Sequence, residues 1–181
     1  MIRGRQLVWE YVSFYKKYVP GCEEIELVTT GSLLGVRESR RVVGEYELTF
    51  ADYLARRKFP DQIGLFNKFV DIHVHDDSEE EYKRLMEEIT HSGRLGVGES
   101  FGIPYRILVP RGWQNLWVAG RCNSSDKQAH GSIRVMPAAA MMGQAAGTAA
   151  VQAIEDKQTA FSLDTKKLCG TLRKHGANLP E

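Results

Sequence analysis

A chain of 181 residues, 43% hydrophobic and 26% charged, has the make-up of a globular protein that buries one sizeable core with a small lobe beside it. A net charge of +1 excludes a strong electrostatic preference for nucleic acid or for an anionic membrane surface. The three cysteines, Cys22, Cys122 and Cys169, are widely separated, odd in number and without C-x-x-C spacing, so neither a disulfide framework nor a zinc knuckle is indicated and reduced thiols in a cytoplasmic protein are the expectation.

In chain order, Gly4 to Val19 is amphipathic and stops at Pro20-Gly21, which predicts a helix. Its Tyr11, Phe14, Tyr15 and Tyr18 fall at core-facing spacing, which outweighs single-stranded nucleic acid binding as their role. Ile25 to Thr30 (IELVTT) is β-branched and reads as a strand, and Leu34 to Tyr46 as one or two more with an arginine-rich middle. Thr49 can cap a short helix, Phe50 to Arg57, with Asp52 at its third position. Phe69 to His75 alternates apolar and polar residues, predicting a strand, and Ser78 before three glutamates opens a helix to about Thr90. His91 to Gly102 is a glycine-rich loop, followed by strands at Tyr105–Val109 and Leu116–Ala119. A long helix from about Pro137 to Asp156 and a last one, Thr165 to Lys174, capped by Asp164 and ended at His175-Gly176, complete an α+β body.

Val135 to Ile154 has the length of a membrane span and no charged residue, but Ala and Gly contribute little transfer energy, and Pro137, Gln144, Thr148 and Gln152 interrupt it. A buried helix of a soluble protein is expected, and no membrane partner.

Chemistry concentrates in four places. Leu116-Trp117-Val118-Ala119 ends at Gly120-Arg121, and after a polar loop Arg134-Val135-Met136-Pro137 opens the small-residue helix. Strand, glycine turn, loop and helix is how nucleotide-binding folds bring backbone N–H groups to an anionic cofactor, although Ala139, Gly143, Ala146, Gly147 and Ala150 at helical spacing also suit close packing in a core. Arg37-Glu38-Ser39-Arg40-Arg41 places three arginines in five residues, suited to a carboxylate or to a solvated face with Glu38 and Glu45 as partners. Asp71-Ile72-His73-Val74-His75 is a metal-ligating pattern or a set of surface polar groups. Tyr105-Arg106 can bind substrate or serve as ordinary strand residues.

The stretch Asn115-Leu116-Trp117-Val118-Ala119-Gly120-Arg121, with His130-Gly131-Ser132, Arg134, Pro137 and Gly143-Gln144-Ala145-Ala146-Gly147-Thr148-Ala149-Ala150, resembles the C-terminal end of FAD-dependent oxidoreductases, two-domain flavoproteins related to fumarate reductase. Gly35 to Tyr46, Asp71-Ile72-His73 and Ile103-Pro104-Tyr105 also look like that family, so the resemblance covers nearly the whole chain. Such proteins carry a βαβ unit with G-x-G-x-x-G for the FAD pyrophosphate. This chain has none; the cluster Gly96-Val97-Gly98-Glu99-Ser100-Phe101-Gly102 places Phe101 where the third glycine belongs.

The resemblance implies a partial flavoprotein fold: a mixed sheet of the substrate lobe over residues 1–110, and the C-terminal strand and helix of the FAD domain over 111–181. It implies hydride transfer between a small organic substrate and flavin. FAD would be held by Ala119, Gly120, Arg121, His130, Arg134, Val135, Met136, Pro137 and Gly143, with Arg37, Arg40 and His73 on the substrate side. The expected partner is an N-terminal FAD-binding domain or complementary chain, without which the chain is expected to bind FAD weakly or not at all and to be inactive. Two alternatives stand beside this: a metal-dependent enzyme using Asp71, His73 and His75, and a non-catalytic binding module.

Overall fold

In the computed structural model, which describes residues 2–72, 80, 83, 84, 87 and 94–180, the amphipathic start of the chain forms helix α1, Ile2–Tyr18. The chain divides into two compact units, Met1–Val36 and Arg37–Glu181. In the first, α1 has no buried residue. Its aromatic stripe, expected to face a core, is exposed instead, and Phe14 packs on Tyr15 and Tyr18 with ring centroids 5.9 and 5.1 Å apart. A unit of this size has too little chain to cover a full helix. Ile25 to Thr30 has no ladder partner among the described residues and is not a strand.

Among the described residues, the buried hydrophobic ones all lie in the second unit, from Leu48 to Leu179. Thr49 opens helix α2, Phe50–Leu54, with a complete capping box: its hydroxyl takes the Asp52 N–H while the Asp52 carboxylate takes the Thr49 N–H. Strands β1, Gln62–Phe66, and β2, Phe101–Pro104, pair antiparallel with a register shift between Gln62 and Gly64. QIGLF and FGIP are short and broken by Gly or Pro, so neither shows a period-2 pattern, and β2 instead begins inside the expected loop. Tyr105–Leu108, expected to be a strand, is a 3-10 turn, because Tyr105 N–H and the Arg106 side chain are both drawn to Asp61. A second 3-10 turn spans Gly120–Cys122.

Helix α3, Lys127–Ile133, lies in the expected polar loop and is capped by Asp126. Helix α4, Met136–Asp156, carries Pro137 in its first turn, as its fixed backbone angle favours, and buries Ala138, Met142, Ala145, Ala149 and Ala153 along one stripe. Helix α5, Thr165–Lys174, is capped by Asp164 and buries Leu168, Cys169 and Leu172. Helix α4 packs against β1, both 3-10 turns and α5, and forms the spine of the unit. The fold is α+β, as expected. The buried core draws on residues before and after position 110, from Leu48 to Val109 and from Ala129 to Leu179.

The strands expected over Leu34–Tyr46, Phe69–His75 and Leu116–Ala119 form no ladder where the structure describes them, beyond the single Gly44–Pro110 bridge. Their groups are satisfied one at a time, by Val42 N–H on Cys122 O at 3.0 Å and Val118 N–H on Leu108 O at 2.8 Å. The small Gly44 permits this threading, since a Cβ there would stand 2.6 Å from Ser124 Cβ. Within the helix expected from Ser78 to Thr90, the described positions 80, 83, 84 and 87 are helical.

Candidate functional site

The site grows from a glycine turn. Ala119 is extended, and Gly120 then turns with φ +75°, a conformation that L side chains rarely adopt. The turn is locked by Asn123, whose Nδ2 donates to Gly120 O at 2.7 Å. Arg121 is exposed, while its carbonyl faces His130 Nε2 at 2.9 Å. A carbonyl only accepts, so Nε2 carries the proton and Nδ1 is left as the acceptor. His130 is fully buried, and burial pushes its pKa below the ordinary value despite the hydrogen bond to Arg121 O.

Asp126 joins two parts of the chain: its carboxylate caps α3 at Ala129 N–H (2.7 Å) and takes Phe50 N–H (2.6 Å). Where α3 ends, Arg134 turns back into the protein, its side chain only 6% exposed. Its Nη1 donates to Glu38 Oε2 at 2.5 Å and its Nη2 to Asp71 O at 2.7 Å. Arg37 Nη2 donates to Asp71 Oδ2 at 2.7 Å, and Ser132 Oγ to Lys68 O at 2.6 Å. Segments 37–41 and 68–72 are thereby fastened to the α3–α4 junction.

At the start of α4, Val135 offers no side-chain cap, so the first-turn N–H groups meet no side-chain acceptor. Met136 and Pro137 are exposed, as is Gly143 two turns on. A Cβ at Gly143 or Gly147 would meet nothing within 4 Å, and one at Gly120 only Ala139 Cβ at 3.7 Å.

Of the residues singled out from sequence, the structure brings together Ala119, Gly120, Arg121, His130, Arg134, Val135, Met136 and Pro137, through the contacts of the second 3-10 turn with α3 and α4. Gly143 lies on the exposed side of α4. Arg37 is exposed and held by Asp71, and Arg40 is exposed. His73 and His75 lie outside the described residues; Asp71, the third member of that pattern, pairs with Arg37. Tyr105 is buried, with its hydroxyl donating to Ala160 O at 2.8 Å and accepting from Trp117 Nε1 at 2.6 Å. Burial pushes its pKa up to about 12. Arg106 is bound to Asp61. Asp126 was not singled out from the sequence, although its place before a helix-forming run was a legible cap, and Glu38, read as a partner for the neighbouring arginines, pairs instead with Arg134, 96 positions away.

The chain matches the family model described as FAD dependent oxidoreductase over residues 1–172. It belongs to that family. No match is found among curated proteins or solved structures. Membership in this FAD dependent oxidoreductase family makes flavin-linked redox chemistry its general function. The residues around α4 fit such a group: an uncapped helix start suits an anion, and the glycine positions of α4 face open space, where a side chain would intrude on a flat ring. Among the described residues no helix is long and apolar enough to cross a membrane, and no group of three His, Cys, Asp or Glu gathers as for a metal.

Proposed function

We propose that this chain supplies the flavin-closing segment, and part of the substrate side, of an oxidoreductase that moves a hydride between a small organic substrate and flavin. The observation that carries this reading is the uncapped start of α4 beside the Gly120 turn, inside a family match over residues 1–172. Bound flavin would supply the two-electron acceptor or donor.

The chain's own residues have distinct tasks. The first-turn N–H groups of α4 and the positive end of its dipole stabilise negative charge on the ring, and Pro137 pre-sets that turn. Gly120 and Gly143 let the ring approach backbone, and the exposed Arg121 offers a cation to an anionic edge. His130 fixes the Gly120–Arg121 turn through the Arg121 carbonyl. On the substrate side, Arg37 is pre-oriented by Asp71, Arg40 is exposed toward an incoming carboxylate, and His73 holds or releases the substrate proton.

The sequence has no G-x-G-x-x-G unit, so the pyrophosphate is held by a dinucleotide-binding unit outside these 181 residues. The test is flavin titration, read by absorbance and fluorescence, of this chain alone and joined to such a unit. Tight binding only in the joined form, weakened by Arg121→Ala, is expected. No binding in either form would sink the reading.

A further inference from the structure

Glu38 takes no part in the tasks above, yet its carboxylate stands between a buried cation and a buried imidazole. Oε2 receives Arg134 Nη1 at 2.5 Å and lies 4.0 Å from His130 Nδ1. Among the described residues that Nδ1 has no hydrogen-bond partner, and His130 is fully buried. Arg134 and His130 hold different parts of the cofactor-side segment. Arg134 is the residue between α3 and Val135, the N-cap of α4; His130 holds the carbonyl of Arg121. Glu38 itself belongs to the segment that carries Arg37 and Arg40. A surface ion pair would do little, but here the arginine side chain is 6% exposed, so loss of its counter-charge leaves a cation stranded in the interior. Each terminal nitrogen of Arg134 donates to a protein group, so the side chain braces the segments around it.

We propose that Glu38 is a positioning residue: through Arg134 its carboxylate holds the start of α4 against the arginine-bearing segment 37–41, and its charge acts on the His130 ring 4.0 Å away. The flavin part of this role rests on the function proposed above. The groups that face His130 are Arg41, Arg134, Glu38 and the Arg121 carbonyl. Burial depresses its pKa, the two arginines depress it further, and Glu38 opposes them.

The test follows the His130 ring protons by NMR through a pH titration of the full chain, in four forms: wild type, Glu38→Gln, Arg134→Gln and the double variant. Glu38→Gln should lower the His130 pKa and Arg134→Gln should raise it, each by about half a unit, with the double variant returning toward wild type. A purely structural role would move both single variants the same way, and that result, or no shift, overturns the proposal. The double variant removes both charges together and remains readable if a single variant unfolds. In the form joined to a dinucleotide-binding unit, Glu38→Gln should weaken FAD binding about tenfold while Glu38→Asp retains it. Unchanged FAD affinity in Glu38→Gln, with a wild type that binds, also overturns the proposal. A wild type that binds no FAD refutes the flavin reading instead, and the titrations then decide Glu38.

Discussion

Asp52 accepts from Tyr46 Oη at 2.8 Å, Thr49 N–H at 3.0 Å, Thr49 Oγ1 at 2.9 Å and Arg57 Nη1 at 2.8 Å. Burial alone would push its carboxyl up, but the Arg57, Thr49 and Tyr46 hydrogen bonds outweigh this and hold the pKa below the usual value. A depressed folded pKa means that the stabilisation is present at neutral pH and is lost as pH falls below about 4. Asp52→Asn is therefore expected to cost about 1–3 kcal/mol at pH 7 in urea unfolding, and to flatten the acid limb of the stability profile. An unchanged acid limb would contradict this origin. The capping part of the arrangement was legible, because Thr49 and Asp52 lie three apart; the Arg57 and Tyr46 contacts depend on how the chain returns and were not.

The elements divide by how local their cause is. The caps at Thr49 and Asp164 and the Pro137 start of α4 arise within one helical turn, and the structure has them where the sequence places them. The strands did not follow, since a strand needs a partner, and β-branched stretches such as Ile25–Thr30 found none among the described residues. Asp126 illustrates an element tied to another: Asp126→Ala removes the α3 cap and strands the Phe50 N–H, for an expected loss of about 1–3 kcal/mol by thermal unfolding. Gly143 separates folding from function. It is an exposed helical glycine with open space at its Cβ position, so Gly143→Ala should raise stability by about 0.5–1 kcal/mol. The same methyl group should weaken flavin binding in the joined form. Stabilisation without any loss of flavin affinity would remove Gly143 from the site.

At the scale of the molecule, the buried hydrophobic residues run from Leu48 to Leu179, and α1 contributes none. The family motifs spread along the sequence made this scale legible in outline, whereas the fastenings between segments 37–41, 68–72 and 121–134 were not, because pairing of Arg134 with Glu38 across 96 positions leaves no local pattern. The Tyr105–Trp117 bond gives this unit its own optical signal. Trp9 and Trp113 are 61% and 60% exposed and emit from water whether or not the chain is folded. Trp117 is half-buried, its indole N–H bound 2.6 Å from the Tyr105 hydroxyl and three residues before Gly120. With Trp9 and Trp113 replaced by Phe, the colour of the remaining emission would report the state of the glycine turn directly, a red shift marking the moment it opens.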